Sequence, residues 1–214
     1  MTMTRTIGWL AATALSLAAL SLAALGAQAQ TAKAPEALIK EVSTDVLDAV
    51  KADKTIQAGD IRKVIALVDQ KVLPYVNFQR MTASAVGRYW KQATPDQQKR
   101  LQDEFKLLLV RTYSGALSQV SAEQNVELRP MRSAPTDNEV VVRTEIKGKG
   151  DPIQLDYRLE KAGDSWKIYD VNVMGVWLVE NYRNSFAQEI GANGIDGLIA
   201  KLAERNKAAG AAKS

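Results

Sequence analysis

The chain has 214 residues, a formal net charge of +4 at pH 7, and neither histidine nor cysteine. These absences exclude Ser-His-Asp and Cys-His catalytic pairs, Cys/His zinc sites, disulfides and thiol switches. Basic and acidic residues are interleaved throughout, which is typical of an ordinary solvated surface and not of a nucleic-acid-binding protein.

The first 29 residues have the pattern of a secretory signal peptide. Arg5 precedes an uncharged run, Ile7 to Gly26, and the small-x-small pattern of a cleavage site follows at Ala27-Gln28-Ala29. A permanent membrane anchor is the alternative, because the run approaches the roughly 20 apolar residues that a bilayer requires. The cleavage motif and the missing positive stop favour the signal peptide. We therefore predict cleavage after Ala29 and a mature domain over residues 30–206.

Three helices are predicted in the first part of the mature domain. Apolar residues recur at helical spacing from Pro35 to Val50 and again from Ile61 to Leu73, where Pro74 stops the pattern. A short third helix is predicted between a capping residue, Asn77, and a terminating Gly87.

A long helix is predicted to begin at Thr94. Thr94 can cap it, Pro95 occupies the first helical position, and Gln97 completes a capping box. One face of this helix is apolar for roughly six turns at about 3.6 residues per turn. Its residues are Leu101, Phe105, Leu108, Leu109, Thr112, Ala116, Leu117 and Val120.

From Gln124 the apolar period changes from helical to two, which indicates strands. Strands are predicted near residues 124–129, 138–147, 152–161 and 165–175, joined by turns rich in Gly, Pro, Asp and Asn. The fourth strand breaks the alternation, so either a bulge near Tyr169-Asp170 resets the register or both faces are covered there. Together the four form an antiparallel meander.

Two closing helices are predicted after the sheet, over residues 175–190 and 195–204, and residues 207–214 are predicted to be a disordered tail. Helices followed by a sheet and further helices indicate one α+β domain and not alternating βαβ units.

Carboxylates offer the best candidates for acid/base chemistry, but the pattern favours a structural role. Asp156 and Asp170 lie in strands beside the basic residues Arg158 and Lys167, so ion pairs account for them. The apolar faces of the sheet, the long helix and the closing helix remain to be explained. Periodicity cannot distinguish a filled core from a lined cavity.

Several motifs resemble one known family in the same order along the chain. They are Asn77-Phe78-x-x-Met81, Gly87-Arg88-Tyr89-Trp90, Gln97-Gln98-x-x-Leu101-x-x-Glu104-Phe105, Leu108-Leu109-Val110-Arg111-Thr112-Tyr113, Asp156-Tyr157-Arg158-Leu159, Trp166-Lys167-Ile168-Tyr169-Asp170-Val171, Asn181-Tyr182-Arg183-x-x-Phe186 and Gly194-Ile195-Asp196-Gly197-Leu198-Ile199. Over roughly residues 35–205 the chain resembles the MlaC family, also called the toluene-tolerance family, of periplasmic phospholipid-binding proteins.

The resemblance implies an NTF2-like α+β body in the periplasm, with acyl chains held in an apolar cavity between sheet and helices. It implies a non-enzymatic carrier without a cofactor or metal, which shuttles phospholipid and so maintains the lipid asymmetry of the outer membrane. The implied partners are an outer-membrane lipoprotein–porin complex and an inner-membrane ABC transporter complex with an MCE-domain protein.

The predicted apolar faces supply the lipid-binding side chains of this implied cavity. They are Phe78, Met81, Phe105, Leu108, Leu109, Tyr113, Leu117, Val142, Ile146, Leu155, Tyr157, Val173, Trp177 and Tyr182. Two positions depart from the family, which usually has an aspartate in place of Asn77 and a small polar residue in place of Trp177. Two alternatives stay open: a small-ligand enzyme on an NTF2-like body and a structural periplasmic adaptor.

Overall fold

A computed structural model describes residues 33–131 and 137–211 of the chain. The predicted signal peptide, residues 1–29, lies outside the described residues. The helices are α1 (Pro35–Ala52), α2 (Lys54–Gln57), α3 (Ile61–Lys71), α4 (Phe78–Val86), α5 (Pro95–Tyr113) and α6 (Leu178–Ala211). The strands are β1 (Asn125–Leu128), β2 (Glu139–Lys147), β3 (Ile153–Ala162), β4 (Ser165–Val173) and β5 (Val176–Trp177).

The helix boundaries follow the capping chemistry that the sequence contains. The Asn77 side chain accepts a hydrogen bond from the Arg80 amide at 3.0 Å and caps α4, which ends at Gly87 with a φ of 67°. At α5, Thr94 and Gln97 form the predicted capping box. Both predicted starts are therefore confirmed.

Two helices differ in extent from the predictions. The apolar stripe of the long helix continues beyond Tyr113, but the α-helix ends there and a 3₁₀ segment, Ser114–Gln119, follows. The two predicted closing helices are both present within α6, whose helical backbone is interrupted at Gly194 with φ 71° and ψ −178°. α6 runs to Ala211, so the described part of the predicted disordered tail is helical. Asn206 holds this end because its buried side-chain amide donates to the Glu104 carbonyl oxygen at 3.0 Å.

The sheet is antiparallel with the strand order β1-β2-β3-β4-β5, so the predicted meander is confirmed and extended by one strand. The fifth strand pairs through two residues, Asn172 with Trp177 and Val173 with Val176. The predicted bulge is also confirmed, because Arg158 pairs with Asp170 whereas the next residue of β3 pairs with Ile168. The extra residue, Tyr169, leaves two consecutive side chains on the outer face of β4.

The helices pack on one face of the sheet and form separate apolar clusters. One cluster lies among α4, α5 and α6, a second lies between α1 and the strands β2 to β4, and a third joins α1, α2, α3 and α5. Beside α1 this packing covers Val140, Val142 and Leu159 of the inner face, although unfilled space also lies between α1 and the sheet. At the opposite end of the strands, near residues 146, 153 and 173, the inner face is not filled.

Candidate functional site

Two apolar cavities lie between the inner face of the sheet and the helices. The larger has a volume of about 360 Å³ and the smaller about 230 Å³. Seven residues line both: Val72, Val76, Leu117, Val120, Ile146, Leu155 and Val171. Because they share a wall of seven side chains, the two cavities adjoin each other.

The sheet builds its part of the wall through ordinary strand alternation. Ile146 pairs with Ile153, and Leu155 pairs with Val173, so these side chains stand side by side on the inner face. All four are only half-buried, although they face the interior of the domain. Buried core residues of the same strands, such as Val142, are fully covered. The partial exposure of apolar side chains in the interior marks space that the protein does not fill.

The helices supply the rest of the walls, and α1 contributes six residues to the smaller cavity. Val68 and Val72 come from the end of α3, Leu109 and Tyr113 from the second half of α5, and Leu178 from the start of α6. Leu109 and Tyr113 are four residues apart and so project from the same side of α5. That side faces the cavity, whereas Phe105 and Leu108 face the core among α4, α5 and α6.

Polar groups in the walls have partners within the protein. Lys106 donates to Asp69 at 2.9 Å, the Thr144 hydroxyl donates to the Leu155 carbonyl oxygen at 2.9 Å, and the Tyr157 hydroxyl is 3.3 Å from that of Ser43. Burial raises the pKa of Tyr157, so the phenol stays protonated at neutral pH. The cavities thus offer an apolar volume and little chemistry.

The structure places nine of the fourteen predicted lipid-binding residues in the cavity walls. They are Phe78, Met81, Leu109, Tyr113, Leu117, Ile146, Leu155, Tyr157 and Val173. Sequence reasoning missed several other wall residues, including Val68, Val72, Val76, Val120, Ile153, Val171 and Leu178. The signal for the α3 residues was present, because Val64, Val68 and Val72 recur every four residues.

Four predicted residues lie in filled core instead. Phe105 is 0% exposed, and its ring centroid lies 5.1 Å from that of Tyr182 and 5.2 Å from that of Phe186. Leu108 belongs to the same cluster, and Val142 is enclosed between α1 and the sheet. Phe105, Leu108, Val142 and Tyr182 are therefore buried core residues that line neither of the two cavities.

Trp177 is the fifth predicted residue that lies away from the cavities. Its cross-strand partner is Asn172, and directly paired residues share one face of a sheet. That face is the outer one, where the Arg158 guanidinium carbon lies 3.9 Å from the Trp177 ring centroid. Trp177 therefore covers an arginine on the outer face and lines neither cavity, which differs from its predicted place among the lipid-binding side chains.

The two candidate carboxylates lie on the outer face as well. Asp170 is 1% exposed, pairs with Arg158 at 3.0 Å, and accepts a hydrogen bond from the Val179 amide at 3.1 Å. Burial raises the pKa of Asp170, and the Val179 amide and Arg158 oppose that shift. Asp156 accepts from the Gln154 side chain at 3.1 Å. Asp170 thus fixes the start of α6 from a buried position, where the sequence indicated a surface ion pair.

Within residues 33–131 and 137–211, no helix is long and apolar enough to cross a membrane. The same residues contain no group of three or more Asp, Glu, His or Cys side chains that could hold a metal ion.

Two named proteins match about four fifths of this chain in sequence. A protein named intermembrane phospholipid transport system binding protein MlaC, from Haemophilus influenzae, is 25% identical over 173 residues, which cover 79% of this chain and 80% of the relative. Toluene tolerance protein ttg2D of Pseudomonas putida is 26% identical over 182 residues, covering 82% and 84%.

A solved structure is more similar in sequence than these two relatives. It is a phospholipid-binding protein from Ralstonia solanacearum in complex with a phospholipid, 46% identical, with a TM-score of 0.78. The match covers 82% of this chain and 98% of that one. The family model described as MlaC protein matches residues 40–204, which include every cavity-lining residue except Ile39. The chain belongs to the MlaC family.

Proposed function

We propose that this protein is a periplasmic carrier that binds a phospholipid by its acyl chains in the two adjoining cavities. The observation that carries the proposal is the shared wall of seven apolar side chains, which joins about 360 Å³ and about 230 Å³ of unfilled space. Two adjoining apolar cavities suit the two chains of one phospholipid. The Ralstonia relative, solved with a phospholipid bound, supports the same ligand class.

The free energy of acyl-chain burial favours a protein that keeps its lipid bound over one that releases it into water. Burial of two chains of about 15 methylenes at roughly 0.8 kcal/mol each gives about 24 kcal/mol relative to water. Free diffusion of the lipid through water therefore does not compete with binding. A bilayer offers nearly the same gain, so exchange between the carrier and a membrane complex is close to balanced, and docking can set its direction.

The two membrane complexes belong to this proposal as docking partners. The Haemophilus relative is named for intermembrane phospholipid transport, which supports partners in two membranes. The outer-membrane lipoprotein–porin complex and the inner-membrane MCE-domain ABC transporter complex fill these two roles. Transfer between them would maintain the lipid asymmetry of the outer membrane.

Extraction of the purified mature chain with organic solvent, followed by mass spectrometry, tests the proposal. We expect about one phospholipid per chain and an intact mass that begins at Gln30 in the periplasmic fraction. An empty chain favours the enzyme or the adaptor. Recovery of the chain in the membrane pellet with residues 1–29 retained contradicts the location.

A further inference from the structure

The turn between β4 and β5 has an unusual residue for its backbone conformation. Met174 has a φ of 50° and Gly175 has a φ of 91°, so both central residues of this two-residue hairpin lie at positive φ. Such type I′ turns strongly prefer Asn, Asp or Gly at the first position. Among the described residues, Met174 is the one non-glycine residue with a positive φ.

The same turn exposes apolar surface. Met174 is 70% exposed and Val176 is 48% exposed, the two highest values among the exposed large hydrophobic residues of the described chain. The backbone around them is held firmly: the Gly175 amide donates to Asn172 at 2.8 Å, and the Met174 amide donates to the Gln154 carbonyl oxygen at 3.0 Å. Met174 therefore combines a strained backbone conformation with a side chain that is mostly exposed to water.

Met174 and Val176 form an apolar tip at this turn, and the position of the turn indicates what the tip contacts. Val173 precedes it and Leu178 follows it, and both side chains line the larger cavity. Ile153, the first residue of β3, lines the cavity at the same end of the sheet. The larger cavity is partly open to solvent. The tip therefore stands beside the end of the cavity, between two of its wall residues.

The charged residues near this end of the sheet do not form a binding site for an anionic surface. Lys149, in the neighbouring hairpin, is paired with Glu123 at 3.1 Å, and Lys147 is paired with Glu127 at 2.6 Å. Paired charges offer little attraction to an anionic surface. Methionine, by contrast, is a flexible and polarisable side chain that adapts to apolar groups of varied shape.

We propose that Met174 and Val176 form a portal over which acyl chains pass as they move between the cavity and the outside. The inference rests on the proposed function. The tip contacts the chains in transit and not in the loaded state, so it lowers the barrier to uptake and to release alike. An interaction made only on the way changes both rates and leaves the equilibrium affinity unchanged.

Met174→Asn separates this role from stability, because asparagine is a preferred residue for this turn. The measurement is stopped-flow uptake and release of a short-chain fluorescent phosphatidylcholine, supplied as monomers to the delipidated mature chain. We expect both rate constants to fall about fivefold, the loss that follows from removing part of one apolar side-chain contact. The dissociation constant should stay within about twofold.

Two matched controls accompany this variant. Met174→Leu keeps an apolar tip and should exchange lipid at the wild-type rate. Leu128→Asn removes an exposed apolar side chain from β1 that lines neither cavity, and it should also leave both rates unchanged.

Wild-type rates in Met174→Asn overturn the portal, and so does equal slowing in Leu128→Asn. Slower uptake with unchanged release would place Met174 in the resting site and overturn the transit role. A wild-type chain that binds no lipid overturns the proposed function itself, which is a separate outcome.

Discussion

Tryptophan substitutions at two positions of the inner sheet face separate the cavity from the core. Leu155 lines both cavities, whereas Val142 is 0% exposed and packed between α1 and the sheet. An indole is larger than a leucine side chain by about 60 Å³ at interior packing density. The cavities of about 360 Å³ and about 230 Å³ can accept that volume. The core at Val142 cannot, so Val142→Trp should lower the free energy of unfolding by roughly 1–3 kcal/mol or more.

For lipid binding the order of the two variants is reversed: Leu155→Trp should lose more affinity than Val142→Trp. In Leu155→Trp, an indole that takes about 60 Å³ displaces about two methylenes of an acyl chain, and at roughly 0.8 kcal/mol each this weakens binding about 15-fold. The assay pairs thermal melts of the delipidated variants with phosphorus quantitation of the untreated proteins, because bound lipid raises apparent stability by mass action. The reasoning is refuted if delipidated Leu155→Trp melts as early as Val142→Trp, or if it keeps full phospholipid and wild-type affinity.

Three further predictions concern the outer face, alkaline pH and the head group. Trp177→Ser should keep the full phospholipid content and lose about 0.5–1 kcal/mol of stability with the Arg158 contact; phosphorus quantitation and urea melts check this, and lost lipid would contradict it. Burial raises the pKa of Tyr157 in the folded protein. The unfolded chain therefore loses the Tyr157 proton first, above about pH 10, and the free energy of unfolding falls as the pH rises further. Urea titrations should show a smaller alkaline loss in Tyr157→Phe; equal losses would contradict this assignment. Since Lys106 is already paired with Asp69, phospholipids of equal chain length should compete within about tenfold; a larger preference would reveal a missed polar contact.

The sequence predicted the elements best where local chemistry determines them. Thr94 and Gln97 define a capping box that depends on four consecutive residues, and the structure contains it. Strand β5 has only two residues, so it shows no hydrophobic period. The sequence pattern therefore places these residues in the closing helix, whereas that helix begins at Leu178. The position of Asn206 against Glu104 depends on residues about a hundred positions apart, and no local pattern shows it.

The candidate site was less predictable, because a core and a cavity use the same residue types at the same spacing. On α5, Phe105 and Leu108 face α6, while Leu109 and Tyr113 face the cavity. All four belong to the apolar part of one amphipathic helix. The distinction depends on what stands opposite each side chain: aromatic rings of α6 surround Phe105, whereas Leu109 packs against this cluster on one side and lines the cavity on the other.

The bulge in β4 shows how one strand supplies a core, a cavity and a fixed hairpin. Before the bulge, Ile168 packs in the core with α1 and also lines the smaller cavity; after it, Val171 lines both cavities. The extra residue, Tyr169, leaves Asp170 on the outer face, where it holds the start of α6 through the Val179 amide. If β4 alternated strictly through Tyr169 with no bulge, Asp170 would face the cavity, and an unpaired carboxylate there would cost several kcal/mol. The bulge thus keeps the cavity wall apolar and keeps the charged groups that anchor α6 on the other side of the sheet.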